Sequence, residues 1–162
     1  MADDDADQFI KEFRKHLSHT SEFIQTLLNA HLEVEGDLDT FLDQVFLNPE
    51  YLEKARLTFY QKVQLCRAYS DVNHHADDWL LMGALNALRN KIAHRSRRKM
   101  LKLDLRELRG LVEGRSERLR ADMQGASNAE VVVHAAALCC GFLSFLLDNL
   151  KRAQGFEAEG EE

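Results

Sequence analysis

The sequence predicts an all-α fold, a single-domain bundle of five to six helices. Three observations carry this expectation. The 162 residues include one proline and eight glycines, too few for the many turns of a β fold. Apolar side chains recur at intervals of three and four along most of the chain, and no segment keeps the strict alternation of a half-buried strand. The length suits one core, so residues 1–154 read as one domain and the acidic stretch 155–162 as a disordered tail.

The elements follow in order. Residues 6–33 carry Phe9, Ile10, Phe13, Leu17, Phe23, Ile24, Leu27 and Leu28 at helical spacing, with a bend expected near Ser18–Ser21. Gly36 and Asp37 restart a second helix bearing Leu38, Phe41, Leu42, Val45 and Phe46. Asn48 and Pro49 then end it, Asn48 as a cap and Pro49 in the first helical position of the next element. Residues 50–69 form a third helix through Leu52, Ala55, Phe59, Val63 and Cys66. After the polar break Asp71–His75, Asp77 or Asp78 starts a fourth that runs from Trp79 to about His94. A fifth spans roughly 103–122, and Asn128 caps a sixth over 129–152. The sixth is apolar on every face from Val131 to Leu147 apart from His134 and Ser144, which suits the centre of a bundle or half of a dimer interface. At about 17 residues that apolar run reads as too short and too polar for a membrane span.

Charge is distributed unevenly. The net charge is −6, yet Arg89–Arg120 holds twelve Lys and Arg against four Asp and Glu. A basic stripe of this kind suits a polyanion, and Lys91, Arg95, Arg97, Arg98, Lys99 and Lys102 are its candidate RNA contacts. The plainer reading is a solvated face with ion pairs along the helix. The acidic start Met1–Asp7 does not resemble a secretory signal, and three cysteines with no paired spacing fit a reducing, cytoplasmic setting. No cofactor is implied, and no metal site is assigned. His74 and His75 read as a polar loop, and Glu107, Glu113 and Glu117 lack a histidine partner. His16, His19 and His31 read as surface or boundary residues, and His134 as a core histidine with a hydrogen-bond partner. Cys139 and Cys140 read as core filler.

The run Leu85-Asn-Ala-Leu-Arg-Asn-Lys-Ile-Ala-His94 concentrates the chemistry. In helical projection Leu81, Leu85, Leu88 and Ile92 form a core stripe. Gly83, Asn86, Asn90, Ala93 and His94 lie opposite, with Arg89 at the edge. Arginine presents a planar fork of donors to phosphate oxygens. Histidine exchanges a proton with a ribose hydroxyl or a leaving oxygen near neutral pH, and an amide orients the imidazole or bonds the phosphate. Arg89, Asn90 and His94 are thus the candidate catalytic residues for metal-free cleavage of RNA. The plainer reading is a solvated polar helix end in which cations suit the helix dipole.

The string Arg-Asn-x-x-x-His, at Arg89, Asn90 and His94, resembles the signature of the HEPN superfamily (higher eukaryotes and prokaryotes nucleotide-binding). The longer stretch 57–95, with Phe59-Tyr-Gln-Lys-Val-Gln-Leu-Cys-Arg-Ala before the motif, also looks like mannitol operon repressor-like helical proteins. The resemblance implies an all-α domain that forms a homodimer through its motif helices, with Arg89 and His94 lining a cleft between two chains. It implies an endoribonuclease of the toxin or defence kind, with an antitoxin or regulatory partner. The alternative it implies is a non-catalytic binding protein of the transcriptional-repressor type. Toxin-type members often place a tyrosine after the histidine, where this chain has Arg95-Ser-Arg-Arg. No helix-turn-helix pattern is evident, which ranks RNA above sequence-specific DNA reading.

Overall fold

The structure, a computed structural model, describes residues 7–8, 22–70, 76–94 and 98–153, with the side chains of 98–100 left out. Seven helices are defined among them: α1 (Glu22–Val45), α2 (Glu50–Ala55), α3 (Phe59–Tyr69), α4 (Ala76–Ala93), α5 (Arg98–Glu113), α6 (Glu117–Asp122) and α7 (Asn128–Ala153). The all-α bundle is as the sequence predicts. The helix count differs from the expected five to six because one boundary vanishes and two appear.

Gly36 starts no new helix. α1 runs through it without a break, since Leu27, Ala30, Val34, Leu38, Phe41 and Leu42 form one continuous buried stripe on either side. A glycine costs a helix interior roughly 0.5–1 kcal/mol, less than that stripe recovers by staying on one face. The predicted 50–69 helix is instead two. Arg56, at φ 50°, closes α2 in a left-handed turn, and Thr58 opens α3 with a capping box. The Gln61 amide N–H donates to Thr58 Oγ1 while the Thr58 N–H donates to Gln61 Oε1. Pro49, not Asn48, occupies the cap position of α2. The predicted 103–122 helix also splits, at Gly114 and Arg115, and Ser116 caps α6 by accepting from the Leu119 N–H. At α7 the cap is Ser127, one residue before the predicted Asn128, in a reciprocal pair with Glu130. The bend expected at Ser18–Ser21 and the acidic tail lie outside the described residues.

α1 and α7 make the most extensive helix pairing, and α4 lies across both. Each helix carries a run of buried apolar residues, among them Leu27, Ala30 and Val34 on α1 and Val132, Ala135 and Ala136 on α7. α4 contributes Leu81, Met82, Leu85 and Leu88, all fully buried, which matches its predicted core stripe apart from the half-buried Ile92. Burial of a leucine of this kind stabilises by about 1.5–3 kcal/mol. Trp79 meets Phe142 of α7 edge-on, with centroids 4.9 Å apart. Asp78, at the start of α4, is buried and ion-paired with Arg115 between α5 and α6. This pairing anchors the helix that carries the motif.

By length and composition α7, at 26 residues, is long and apolar enough to cross a membrane. Seven of its residues, among them Val131, Val132, Ala135 and Phe142, are buried within the bundle. The three cysteines are free. Desolvation pushes the Cys66 and Cys140 thiols up to about 12 and raises Cys139 as well, and the Asp37 carboxylate bonded to Cys140 adds to its shift. Thiols held protonated in this way pack as small apolar groups.

Gly36 is exposed, and a Cβ added there meets nothing within 4 Å. Gly36→Ala is therefore expected to raise unfolding stability by about 0.5–1 kcal/mol in a urea titration. A decrease would mean that the helix breaks there after all.

Candidate functional site

α4 brings Asn86, Arg89 and Asn90 to one half-buried face and leaves His94 exposed in the turn beyond its last residue. The His94 N–H still donates to the Asn90 carbonyl at 3.0 Å, so the helical hydrogen bonding reaches the end of the motif. Within this face the side chains form a directed chain of hydrogen bonds. Arg89 Nη1 donates to Asn90 Oδ1 at 3.1 Å, and Asn90 Nδ2 donates to Asn86 Oδ1 at 3.4 Å. His31 Nε2 meets the same Asn86 oxygen at 3.2 Å from the facing helix α1.

The direction of this chain is set at one end. A guanidinium can only donate, so Asn90 must turn its oxygen to Arg89 and its nitrogen to Asn86. Asn86 then presents its oxygen, and His31 must donate to it from Nε2. Asn90 thus orients the arginine. Of the two roles expected of this amide, orienting the imidazole or bonding a phosphate, the first has no support in a side-chain bond to His94 among the described residues.

His31 corrects a second expectation. It is no surface residue: only 5% is exposed, and its ring packs on Phe59 of α3 with centroids 4.2 Å apart. It sits on the buried stripe of α1, one turn after Leu27 and one before Val34. Below it Glu35 approaches Nδ1 at 3.8 Å, and Lys62 of α3 bonds Glu35 at 2.9 Å and Asp39 at 2.7 Å. Burial works against the Lys62 ammonium, but the bonds to Asp39 and Glu35 outweigh it and hold its pKa above the usual lysine value. A polar seam therefore runs from Arg89 across α4, α1 and α3 to Asp39. His16 and His19, the other histidines of the first predicted helix, lie outside the described residues. His134 does have a partner, the Glu130 carbonyl at 2.8 Å, but it is half-exposed and not in the core.

The predicted RNA contacts divide into three groups. Lys91 is bonded to Asp104 at 2.6 Å and so is committed within the fold. Lys102 is exposed, and Arg106 one turn on is also exposed; neither has an ion-pair partner among the described residues. Arg95 and Arg97 lie outside the described residues, and Arg98 and Lys99 begin α5 with side chains that are not described. Other members of the stripe serve the fold. Arg109 donates to the Met123 and Ala126 carbonyls, each at 2.7 Å, and Arg115 pairs with Asp78. Two ion pairs along the helices, Arg109–Glu113 and Arg118–Asp122, join residues one helical turn apart.

No family model, curated protein or solved structure matches the chain.

His31 carries a pH dependence. Burial is the largest influence and lowers its pKa, the Asn86 bond and Glu35 raise it, and Arg89 and Lys62 lower it further. The unfolded chain then binds a proton more readily than the folded one, so stability rises with pH across the interval between the lowered value and about 6.5. Urea unfolding is expected to show the wild type losing stability as pH falls from 7.5 to 5.5. His31→Gln, which keeps a donor but cannot titrate, should lose clearly less; equal losses would remove His31 as the cause.

Proposed function

We propose that the chain is a HEPN-like, metal-independent endoribonuclease that acts as a homodimer, with Arg89 binding the scissile phosphate and His94 transferring protons. The observation that carries this reading is the chain of bonds from Arg89 through Asn90 and Asn86 to the buried His31. It holds a guanidinium in a set orientation on the same helix end that leaves His94 open to solvent.

The chemistry is internal transesterification. The ribose 2′-oxygen bonds to phosphorus as its proton passes to one His94. The bond from phosphorus to the 5′-oxygen then breaks as that oxygen takes a proton from the partner's His94. The products are a 2′,3′-cyclic phosphate and a 5′-hydroxyl. Arg89 offsets the charge gathering on the non-bridging oxygens, the role an arginine fork performs well away from bulk water. One histidine is poorly placed to be base and acid in one turnover, which is the reason for two chains. Lys102 and Arg106 then extend the phosphate track along α5. A toxin or defence role would call for a partner protein that restrains the nuclease.

A second reading has its own support. Lys91, Arg109 and Arg115 spend their charge inside the fold, which thins the basic stripe. That suits a non-catalytic regulatory protein of the mannitol operon repressor type, in which the Arg89 chain of bonds only joins α4 to α1.

Incubation with total RNA and tRNA in EDTA separates the two. The nuclease reading expects cleavage with 2′,3′-cyclic phosphate ends by the wild type, and at least a hundredfold loss in Arg89→Ala and His94→Ala. Three folded, dimeric and inactive proteins would leave the regulatory reading.

A further inference from the structure

Beside the Arg89 chain lies a groove of about 260 Å³ between α3 and α4. Its floor is apolar and buried: Phe59 and Val63 from α3, Trp79 from α4. Its walls differ in kind. Tyr60, Gln64 and Arg67 stand exposed along α3, and Glu107 of α5 closes one side. On the α4 wall Gly83 has no side chain, and a Cβ built there meets nothing within 4 Å. Asn86, the residue at the centre of the hydrogen-bond chain, also lines this wall, with Ala87 beyond it.

We infer that this groove is a nucleobase subsite, which takes an unstacked base of single-stranded RNA next to the Arg89 phosphate site. The inference rests on the proposed RNA substrate and adds where the base goes. Three features argue for it. The volume lies just below the roughly 300–1,000 Å³ of sites for drug-sized ligands, so it suits one flat ring system. Tyr60, 63% exposed, offers a ring face at the rim, and such faces bind bases of any identity by stacking. The polar groups around it match a base edge: Arg67 donates, the Glu107 carboxylate accepts from an exocyclic amino group, and Gln64 can do either.

Asn86 adds the connection to the phosphate site. Its oxygen already accepts from both His31 and Asn90, so its nitrogen remains as the donor for a ligand. The Trp79 indole N–H is buried in the floor region with no acceptor among the described residues, a second donor that a polar ligand or water would satisfy. Glu107 disfavours a phosphate inside the groove itself, which leaves that group to Arg89 outside it.

Trp79 is the sole tryptophan, so its fluorescence reads the groove directly. The intact protein is titrated with adenosine 5′-monophosphate, and with ribose 5-phosphate as the ligand that lacks a base. A saturable change with the nucleotide alone is expected. Tyr60→Ala should weaken it about tenfold or more. Gly83→Leu should abolish it by filling the groove, with a melting temperature no lower than that of the wild type. Equal responses to both ligands, or nucleotide binding undiminished in Gly83→Leu, would overturn the inference. So would a Gly83→Leu protein that binds the nucleotide normally but no longer dimerises, since the groove would then be a contact between chains. Nucleotide binding that meets these tests in a protein unable to cleave RNA keeps the subsite and removes only the nuclease.

Discussion

The close packing of α1 on α7 is the constraint from which the rest of the arrangement follows. Both helices are long, each carries a run of buried apolar residues, and no other pair of helices is in more extensive contact among the described residues. Polar residues of α1 near these buried surfaces need partners, and Asp37 has one in the Cys140 thiol of α7. His31, Glu35 and Asp39 fall on the edge that faces α3 and α4. There they meet groups able to satisfy them: Asn86 for the imidazole, Lys62 for the two carboxylates. The buried polar seam is thus a consequence of apolar packing elsewhere, and its bonds offset the desolvation that the packing imposes.

That seam gives the motif helix its orientation. The leucines of α4 secure it against the core but tolerate a modest rotation about its axis, because one apolar contact resembles another. A bond from Asn86 to a histidine on a different helix does not tolerate it. At its other end, the ion pair between Asp78 and Arg115 ties the start of α4 to the junction of α5 and α6. With both ends held, the side chains of Arg89 and Asn90 inherit a defined position from residues far away in sequence.

The same logic explains why the basic stripe is less basic in space than in sequence. Runs of Lys and Arg with few acids nearby read as a surface for polyanions. Folding brings acids to these cations: Asp104, from within the stripe, to Lys91 and Asp78, from outside it, to Arg115. Arg109 ends on the Met123 and Ala126 carbonyls of the turn between α6 and α7, where it ties that turn to α5. Lys102 and Arg106 keep their charge for solvent.

The repeat of apolar residues at three and four positions sufficed for the helical class and for most of the core stripe of α4, because those features depend on local spacing alone. On α1 it found Leu27, Leu38, Phe41 and Leu42 but also named Leu28 and Phe46, which are exposed. The capping boxes at Thr58–Gln61 and Ser127–Glu130 are equally local signals; the first divides 50–69 and the second starts α7 one residue before Asn128 would as a cap. Gly36 misleads for the opposite reason. Its effect on a helix is weak and is overridden by burial on both sides, which no local rule weighs. The motif residues Arg89, Asn90 and His94 were legible from their types and spacing. Their unequal fates were not: Arg89 and Asn90 are drawn into a bonded face while His94 stays in solvent. His31 lies 55 residues from its partner Asn86 and resembles any other polar residue on an amphipathic helix. Only the docking of α1 on α4 selects it, because a hydrogen bond between helices requires a position and a direction that residue type and periodicity do not contain.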